Sequence, residues 1–361
     1  MSNDWWHCRK EELLAVAGEK CPIYVYNEEA LNETLFDLLA MDAIDSLFYP
    51  LHANPHPKIL TKAFDLDVRF KCISIDEITR LLKNFPKLAP QRTLFVPDHA
   101  HGEDFERAFH YGVQVVVNDL DTLKIWPGIF QNKDIFICMD IGHEQEVSRL
   151  LETSVRGFYI RPKINFPLLG DLNETISFLV EASGHFPEIS TLILGNDMGV
   201  SVNQEKDIMD ISVIGEHLEA IKDACPQFRL WLELPTYMVS YAGVLLAKVI
   251  KTGKREGIHY IRINMDMKAP IYDGLHESCH EIVNLSKLDE ETTVTTRIIG
   301  KDKDHGNTID FVKAPASVEE SDILLFTNMG AYRQGTGLDS KWRNSVPEHY
   351  LSARRLCQVR I

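Results

Sequence analysis

Residues 46–78 read SLFYPLHANPHPKILTKAFDLDVRFKCISIDEI and contain a complete strand, helix and strand. Residues 46–51 and 68–73 are short apolar runs typical of buried parallel strands, and residues 57–64 predict the helix between them. Ser74 then opens a capping-box pattern, which predicts the start of another helix. Strand and helix therefore alternate at short intervals, as they do in an α/β fold.

The same alternation extends in both directions from this stretch. Further strands are predicted at residues 22–26, 93–96, 113–117, 135–139, 155–160, 191–194 and 230–232. Helices are predicted between them, among others at residues 28–39, 103–110, 172–182 and 207–224, and Asn27 is predicted to cap the first of these. Because a parallel sheet needs covering helices and right-handed crossovers, the pattern predicts a (β/α)8 TIM-type barrel.

Beyond residue 241 the pattern changes to short β-rich runs separated by turn residues, which predicts a second, antiparallel β-domain at the C-terminus. These runs are residues 243–252, 259–264, 281–285, 292–299 and 323–328. We therefore divide the chain into an N-terminal segment (1–26) that packs on the β-domain, the barrel (27–240) and the C-terminal β-domain (241–361).

The composition excludes several classes of function. The chain has 361 residues, of which 45% are hydrophobic and 25% are charged, and this is typical of a globular protein with a sizeable core. Its 53 acidic and 38 basic residues give a net charge of -15, which would repel phosphate backbones and anionic lipid. We therefore expect no nucleic-acid partner and no membrane partner.

The cysteine pattern and the N-terminus point to a reducing compartment. The seven cysteines are scattered without C-x-x-C spacing, so they predict neither a disulfide framework nor a zinc site. Residues 1–20 lack the apolar core of a signal peptide, and no apolar run approaches the ~18 residues of a membrane span. These features predict a cytoplasmic protein.

Two histidine-containing segments, at residues 98–101 (DHAH) and 276–280 (HESCH), were considered as metal ligands. Neither has a third ligand at a recognised spacing, so surface or interface histidines are the preferred interpretation. The sequence therefore predicts no metal site.

Two segments follow recognisable patterns. Residues 48–60 (FYPLHANPHPKIL) are similar to the pattern F-Y-A-x-K-A-N-x-x-P-x-I-L, and residues 69–78 (RFKCISIDEI) are similar to F-E-C-V-S-x-x-E-I. These segments resemble those of fold-type III decarboxylases that depend on pyridoxal phosphate (PLP). Residues 330–332 match the C-terminal G-A-Y of these enzymes. Trp5–Trp6 and residues 280–285 (HEIVNL) are most similar to the diaminopimelate decarboxylase region of proteins fused to an aspartate kinase.

The resemblance implies PLP as cofactor and a lysine that binds it covalently, but His52 stands at the position of that lysine. An imidazole has no primary amine and cannot form the exchangeable imine that this chemistry requires. We therefore expect no covalent binding of PLP. The positional counterparts of the catalytic residues are His52, Lys303 and Asp304.

The resemblance also assigns the cofactor contacts, should PLP bind. Gly195 and Gly199 stand in the place of the G-G-G-L-G phosphate loop, which reads GNDMG here, and Tyr332 belongs to the G-A-Y segment. Glu233 keeps the acid expected to pair with the pyridine nitrogen. However, residues 233–236 read ELPT, so the glycine and arginine of the E-P-G-R segment are lost.

The substrate-binding segments differ as well. Residues 303–307 (KDHGN) stand where the resemblance places C-E-S-x-D from the partner subunit, and Tyr272–Asp273 replaces an R-P pair that binds substrate carboxylate. Four acidic residues are brought towards one barrel mouth, namely Asp197, Glu233, Asp273 and Asp304. This predicts an acidic pocket for a cationic or neutral ligand, or else a filled barrel without a ligand.

These departures lead to two functional hypotheses. The preferred one is a diaminopimelate decarboxylase-like pseudoenzyme in the lysine-biosynthesis family, which binds a small molecule or regulates a partner. The alternative is an active amino-acid decarboxylase or related lyase with altered chemistry. Such an enzyme would use PLP through another lysine, with Lys303 as the best candidate, or would act without PLP on a carboxylated small molecule. The resemblance implies a homodimer, or a heterodimer with an active paralogue, because active sites in this family form between subunits.

Overall fold

The computed structural model describes residues 4–97, 99–140, 155–161, 177, 189–195, 211–265, 281–288, 293–301, 308–332 and 346–353. The strands in these residues are β1 (Ile23–Asn27), β2 (Ser46–Pro50), β3 (Arg69–Cys72), β4 (Thr93–Phe95), β5 (Gln114–Val117), β6 (Ile135–Asp140), β7 (Val155–Arg161), β8 (Thr191–Gly195), β9 (Arg229–Glu233), β10 (Gly243–Arg255), β11 (Ile258–Ile263), β12 (Ile282–Asn284), β13 (Thr293–Ile299), β14 (Thr308–Pro315), β15 (Ile323–Phe326) and β16 (Glu348–Leu351).

The helices of the described residues are α1 (Trp5–Cys8), α2 (Lys10–Glu19), α3 (Glu28–Leu39), α4 (Pro57–Asp65), α5 (Ile75–Asn84), α6 (Gly102–Tyr111), α7 (Leu120–Ile125), α8 (Pro127–Phe130), α9 (Ile211–Ala224) and α10 (Pro235–Val239). None of the helices in this part of the chain combines the length and apolar character needed for a membrane span.

The helix starts follow from side chains that cap free backbone N–H groups. The Asn27 amide oxygen accepts from the N–H groups of Glu29 and Ala30, at 2.7 and 3.2 Å, at the start of α3. The Ser74 hydroxyl accepts from the Glu77 N–H at 3.2 Å and so caps α5. The Glu77 carboxylate accepts in turn from the Ile73 N–H at 2.8 Å. The sequence-predicted caps at Asn27 and Ser74 are confirmed.

Strands β2 to β9 form a closed parallel barrel in sequence order, and β9 pairs with β2 to complete it. The register places Ser46 opposite Trp231 and Leu47 opposite Leu232 at the closing pair. The barrel interior holds an apolar cluster of buried residues: Phe48, Leu94, Val96, Val116, Phe136, Cys138, Tyr159, Ile193 and Trp231. The predicted α/β barrel with a separate β-domain is confirmed.

The described residues from Leu35 to Pro235 make up one compact unit, which contains this barrel, and the remaining described residues make up a second unit. The second unit contains a sheet with the strand order β12-β15-β10-β11-β13-β14, and β1 pairs with both β10 and β16. Most neighbouring strands are antiparallel, but β11 pairs with β13 and β1 pairs with β16 in parallel. Strands β14 and β16 were missed by the sequence analysis.

The N-terminal helices pack on this sheet within the second unit. Trp6 and Leu13 are buried in one cluster with Val25, Leu246 and Leu325. The indole N–H of Trp5 donates to the Tyr241 carbonyl at 2.8 Å. A side chain on Gly330 would meet the Val239 carbonyl oxygen at 1.8 Å, so only glycine fits this close approach of two backbones.

Candidate functional site

Three polar side chains meet inside the barrel, towards the carboxyl ends of its strands. The Lys71 ammonium forms a 2.7 Å salt bridge with Oε1 of Glu233 and donates to the Tyr159 hydroxyl oxygen at 3.1 Å. The Tyr159 hydroxyl donates to Oε2 of Glu233 at 3.0 Å. Lys71 and Glu233 are only 11% and 3% exposed. We call these three residues the barrel triad.

The strand geometry brings the triad together. Lys71 lies on β3, Tyr159 on β7, and Glu233 is the last residue of β9. Side chains alternate along a strand, so Lys71 points to the same face as Arg69, whose guanidinium lies 5.1 Å from the centroid of the buried Trp231 ring. Both cations therefore point into the barrel.

Gly195 provides the space that the Tyr159 hydroxyl needs. It ends β8 and pairs in register with Glu233 on β9. A Cβ atom at this position would lie 2.3 Å from the Tyr159 hydroxyl and 3.3 Å from Oε2 of Glu233. The Tyr159 hydroxyl therefore explains why residue 195 is a glycine, whether or not a phosphate binds there.

The charges of the triad balance inside a low-dielectric interior. Burial of the Lys71 ammonium lowers its pKa, but the Glu233 charge and the hydrogen bonds with Glu233 and Tyr159 outweigh burial and raise the pKa above its ordinary value. Burial and the Glu233 charge raise the pKa of the Tyr159 hydroxyl, which therefore stays protonated. One ammonium, one carboxylate and one neutral phenol leave no net charge.

His52 follows β2 and is partly buried. Burial, and then the nearby Lys71 charge, lower the pKa of its imidazole from 6.5 to about 4. The ring is therefore neutral at physiological pH, because a second cation beside Lys71 would be repelled. The loop that carries it is fixed by Asn54, whose carbonyl accepts from the Tyr49 hydroxyl at 2.9 Å.

The structure describes four of the seven residues that the resemblance assigned to the site. His52, Gly195 and Glu233 lie in the barrel unit, and Tyr332 lies in the second unit. Gly199, Lys303 and Asp304 lie outside the described residues, as do the acidic residues Asp197 and Asp273. The expectation of an acidic mouth is wrong for Glu233, because Lys71 neutralises that carboxylate.

The metal expectation concerned two segments, and the structure covers them only in part. Asp98 and residues 276–280 lie outside the described residues, while His99 and His101 are exposed. The described part of the chain holds no group of three or more His, Cys, Asp or Glu side chains arranged to bind a metal ion.

Sequence analysis missed Lys71 and Tyr159. The signal for Lys71 was present, because residues 69–73 read RFKCI where the resembled segment has glutamate before its cysteine. A lysine inside an apolar barrel strand requires a buried anion, and Glu233 was the candidate. Tyr159 had no comparable signal, since a tyrosine in an apolar strand is usually a core residue.

The fold, a closed parallel barrel and a separate sheet, is shared with solved decarboxylases. A solved diaminopimelate decarboxylase superposes with a TM-score of 0.81 at 17% identity, over 96% of this chain and 92% of that one. The arginine decarboxylase of Paramecium bursaria Chlorella virus, bound to agmatine, superposes with a TM-score of 0.80 at 17% identity, over 95% and 100% of the two chains.

Sequence comparison identifies the particular relatives. The chain is related to diaminopimelate decarboxylases: that of Campylobacter jejuni is 20% identical over 94% of this chain and 92% of its own length. The enzyme of Deinococcus radiodurans is 21% identical over 86% of this chain and 85% of its own length. No family model matches the chain.

The described residues do not fit PLP bound in the way that the resemblance implies. Glu233, the acid expected to pair with a protonated ring nitrogen, already holds the Lys71 ammonium, which would repel a second cation. At the covalent position stands His52, whose imidazole has no primary amine.

Proposed function

We propose that this chain is a diaminopimelate decarboxylase-like protein that does not carry out PLP-dependent decarboxylation and acts as a binding or regulatory partner. The observation that carries the proposal is the barrel triad. The buried lysine of the barrel is held as an ammonium by Glu233, and a protonated amine is not a nucleophile.

The second support is His52, because its ring is neutral and lacks the amine that the covalent step requires. The missing amine at the Schiff-base position and the occupation of Glu233 by Lys71 affect different contacts of the same cofactor. Restoring the amine would leave Glu233 occupied. Installing His52→Lys alone is therefore expected to give little decarboxylation.

The test is to incubate the purified protein with PLP, record its absorbance spectrum, reduce it with borohydride and map the modified peptides by mass spectrometry. The diaminopimelate decarboxylase of Campylobacter jejuni serves as the positive control. We expect no visible band that survives dialysis and no reduced adduct. A stoichiometric adduct on one lysine, Lys303 above all, contradicts the proposal and favours the altered lyase.

The regulatory role requires a partner, and we propose a cytoplasmic homodimer or a heterodimer with an active paralogue. The support is the similarity to decarboxylases in which two subunits complete each site, together with the sheet edges of the second unit, which a partner would cover. Sedimentation at micromolar concentration, alone and with an active paralogue, tests this proposal. A monomer under both conditions would remove it.

A further inference from the structure

In the barrel triad, Lys71 neutralises the Glu233 carboxylate, whereas in the resembled enzymes a cofactor is expected to neutralise the corresponding acid. Oε1 of Glu233 lies 2.7 Å from the Lys71 ammonium, and Oε2 accepts from Tyr159. The lysine stands where the resembled segment F-E-C-V-S has a glutamate. The substitution therefore adds a cation to the barrel interior that those enzymes do not carry at this position.

The positive charge at position 71 matters because Glu233 is a buried anion. A buried carboxylate without a cation is strongly destabilising, because its hydration is lost and nothing replaces it. In the resembled enzymes the protonated ring nitrogen is expected to supply that cation. In this chain Lys71 supplies it from within, at hydrogen-bond distance and with both groups almost fully buried.

Tyr159 and Gly195 fit closely around the ion pair of Lys71 and Glu233. Tyr159 contacts both charged groups, donating to Glu233 and accepting from Lys71. Its hydroxyl fits only because position 195 carries no side chain. Three strands and a glycine on a fourth thus build the site around the lysine ammonium, which is more than an accidental surface pair.

We infer that Lys71 is a built-in replacement for the cationic ring nitrogen of the cofactor, so that the barrel is charge-complete without a ligand on Glu233. This inference rests on the proposed function and deepens it. It identifies Glu233 as a cation-binding group whose occupant, in this chain, is a covalently attached alkylammonium. Removing Lys71 therefore leaves the Glu233 carboxylate without its cation, and removing the Glu233 charge leaves the Lys71 ammonium without its anion.

The first experiment measures the reactivity of Lys71 by reductive methylation with formaldehyde and cyanoborohydride, followed by peptide mass analysis. In the wild type Lys71 is expected to be protected, whereas the exposed Lys124 reacts. Glu233→Gln removes the charge that keeps Lys71 protonated, so burial, opposed only by the hydrogen bond to Tyr159, should lower the pKa of Lys71. Methylation of Lys71 relative to Lys124 should rise roughly tenfold or more.

Tyr159→Phe is the matched control for loosened packing. It removes both tyrosine hydrogen bonds but leaves the Lys71 salt bridge, so the methylation ratio should stay near the wild-type value. Equal ratios in wild type and Glu233→Gln would overturn the inference. A rise in Tyr159→Phe as large as in Glu233→Gln would overturn it too, since looser packing would then explain both.

The second experiment restores the cation from solution. Lys71→Ala lacks the part of the side chain beyond Cβ, which corresponds to n-propylammonium. Propylammonium chloride should raise the Tm of this variant by several degrees over potassium chloride of equal ionic strength. No such rise is expected in the wild type or in Lys71→Ala with Glu233→Gln. Equal shifts in all three proteins would overturn the inference.

The two proposals fail in different ways. A borohydride-reduced adduct on Lys303 would overturn the proposed function, whereas the inference about Lys71 would still be decided by the methylation and propylammonium results. Conversely, a freely reactive Lys71 without any PLP adduct would remove the built-in cation while the binding role survives.

Discussion

Strand β3 places one cation near each end of the barrel interior, and the two cations contact different kinds of partner. Near the amino end, the Arg69 guanidinium lies over the rings of Trp231 and Phe48, at 5.1 and 5.9 Å from their centroids. Towards the carboxyl end, the Lys71 ammonium is held by the Glu233 carboxylate. Both residues lie on β3, two positions apart.

The difference shows what burial demands of a cation. Arg69 is partly exposed, so water supplies part of its solvation and the aromatic faces supply the rest. Burial and the nearby Arg92 lower the pKa of Arg69, whereas Glu233 reverses the effect of burial on the pKa of Lys71. A nearly fully buried ammonium therefore needs an anion, and a half-buried guanidinium does not.

The largest predicted effect concerns the carboxyl end. Lys71→Ala leaves Glu233 as an uncompensated buried charge and is expected to lower the free energy of unfolding by about 3–5 kcal/mol. Lys124→Ala, which removes an exposed partner of Asp121, should change it by less than about 0.5 kcal/mol. Urea unfolding followed by circular dichroism measures both values.

A triple replacement separates charge balance from stability. Lys71→Met with Glu233→Leu and Tyr159→Phe removes both charges and the buried hydroxyl that they bind, so it is expected to be neutral or stabilising, in contrast to Lys71→Ala. If Lys71→Ala were no more destabilising than Lys124→Ala, the difference between the two ends of the barrel would disappear.

The second prediction concerns pH, because burial and the Lys71 charge both lower the pKa of His52. The pKa of His52 falls to about 4 in the folded protein from 6.5, so below pH 6.5 the unfolded chain binds more protons than the folded one. Stability from this histidine is therefore fully present above pH 6.5 and is lost as the pH falls towards 4. The loss amounts to roughly 3 kcal/mol at most.

His52→Gln is the matched variant for this measurement. Its free energy of unfolding should depend less on pH between 6.5 and 4 than that of the wild type, while the two proteins behave alike from pH 7 to 9. Parallel stability curves across the whole range would show that His52 is not held neutral by its surroundings.

The third prediction concerns the space that Gly195 leaves for the Tyr159 hydroxyl of the triad. Gly195→Ala places a Cβ 2.3 Å from the Tyr159 hydroxyl and should destabilise the barrel by about 1–3 kcal/mol. Gly215→Ala is the control, since nothing lies within 4 Å of its Cβ and alanine favours helix α9. That change should stabilise by up to about 1 kcal/mol. Thermal unfolding of the two variants, compared with the wild type, decides the matter.

Much of the barrel could be predicted because each buried strand is a short apolar run with its own helix. The starts of α3 and α5 were predicted from Asn27 and Ser74, whose caps act locally. Strand β14 was missed although it pairs with the neighbouring strand β13. Strand β16 was missed because its partner, β1, lies more than 300 residues away. Local patterns do not report such partners.

The candidate site was predictable only in part, for a similar reason. The resemblance pointed to His52 and Glu233, but the charge at Glu233 depends on Lys71, which lies 162 residues away in sequence. Four acidic positions predicted an acidic mouth, and at Glu233, the one of them that the structure describes, the carboxylate is neutralised in an ion pair with Lys71. Spatial pairing across β3 and β9, rather than residue type, sets the charge at this position.

The smallest predicted effect concerns the amino end of the barrel and completes the comparison. Arg69→Met keeps an apolar stem over Trp231 and Phe48 but removes the guanidinium. Cation–π contacts at such partly exposed positions contribute about 0.5–2 kcal/mol, and no buried anion is left behind, so the loss should stay near 1 kcal/mol. Added salt should change this value little, because no carboxylate forms an ion pair with Arg69 in the part of the chain that the structure describes. A loss as large as that of Lys71→Ala would mean that aromatic faces hold a cation as tightly as a carboxylate does.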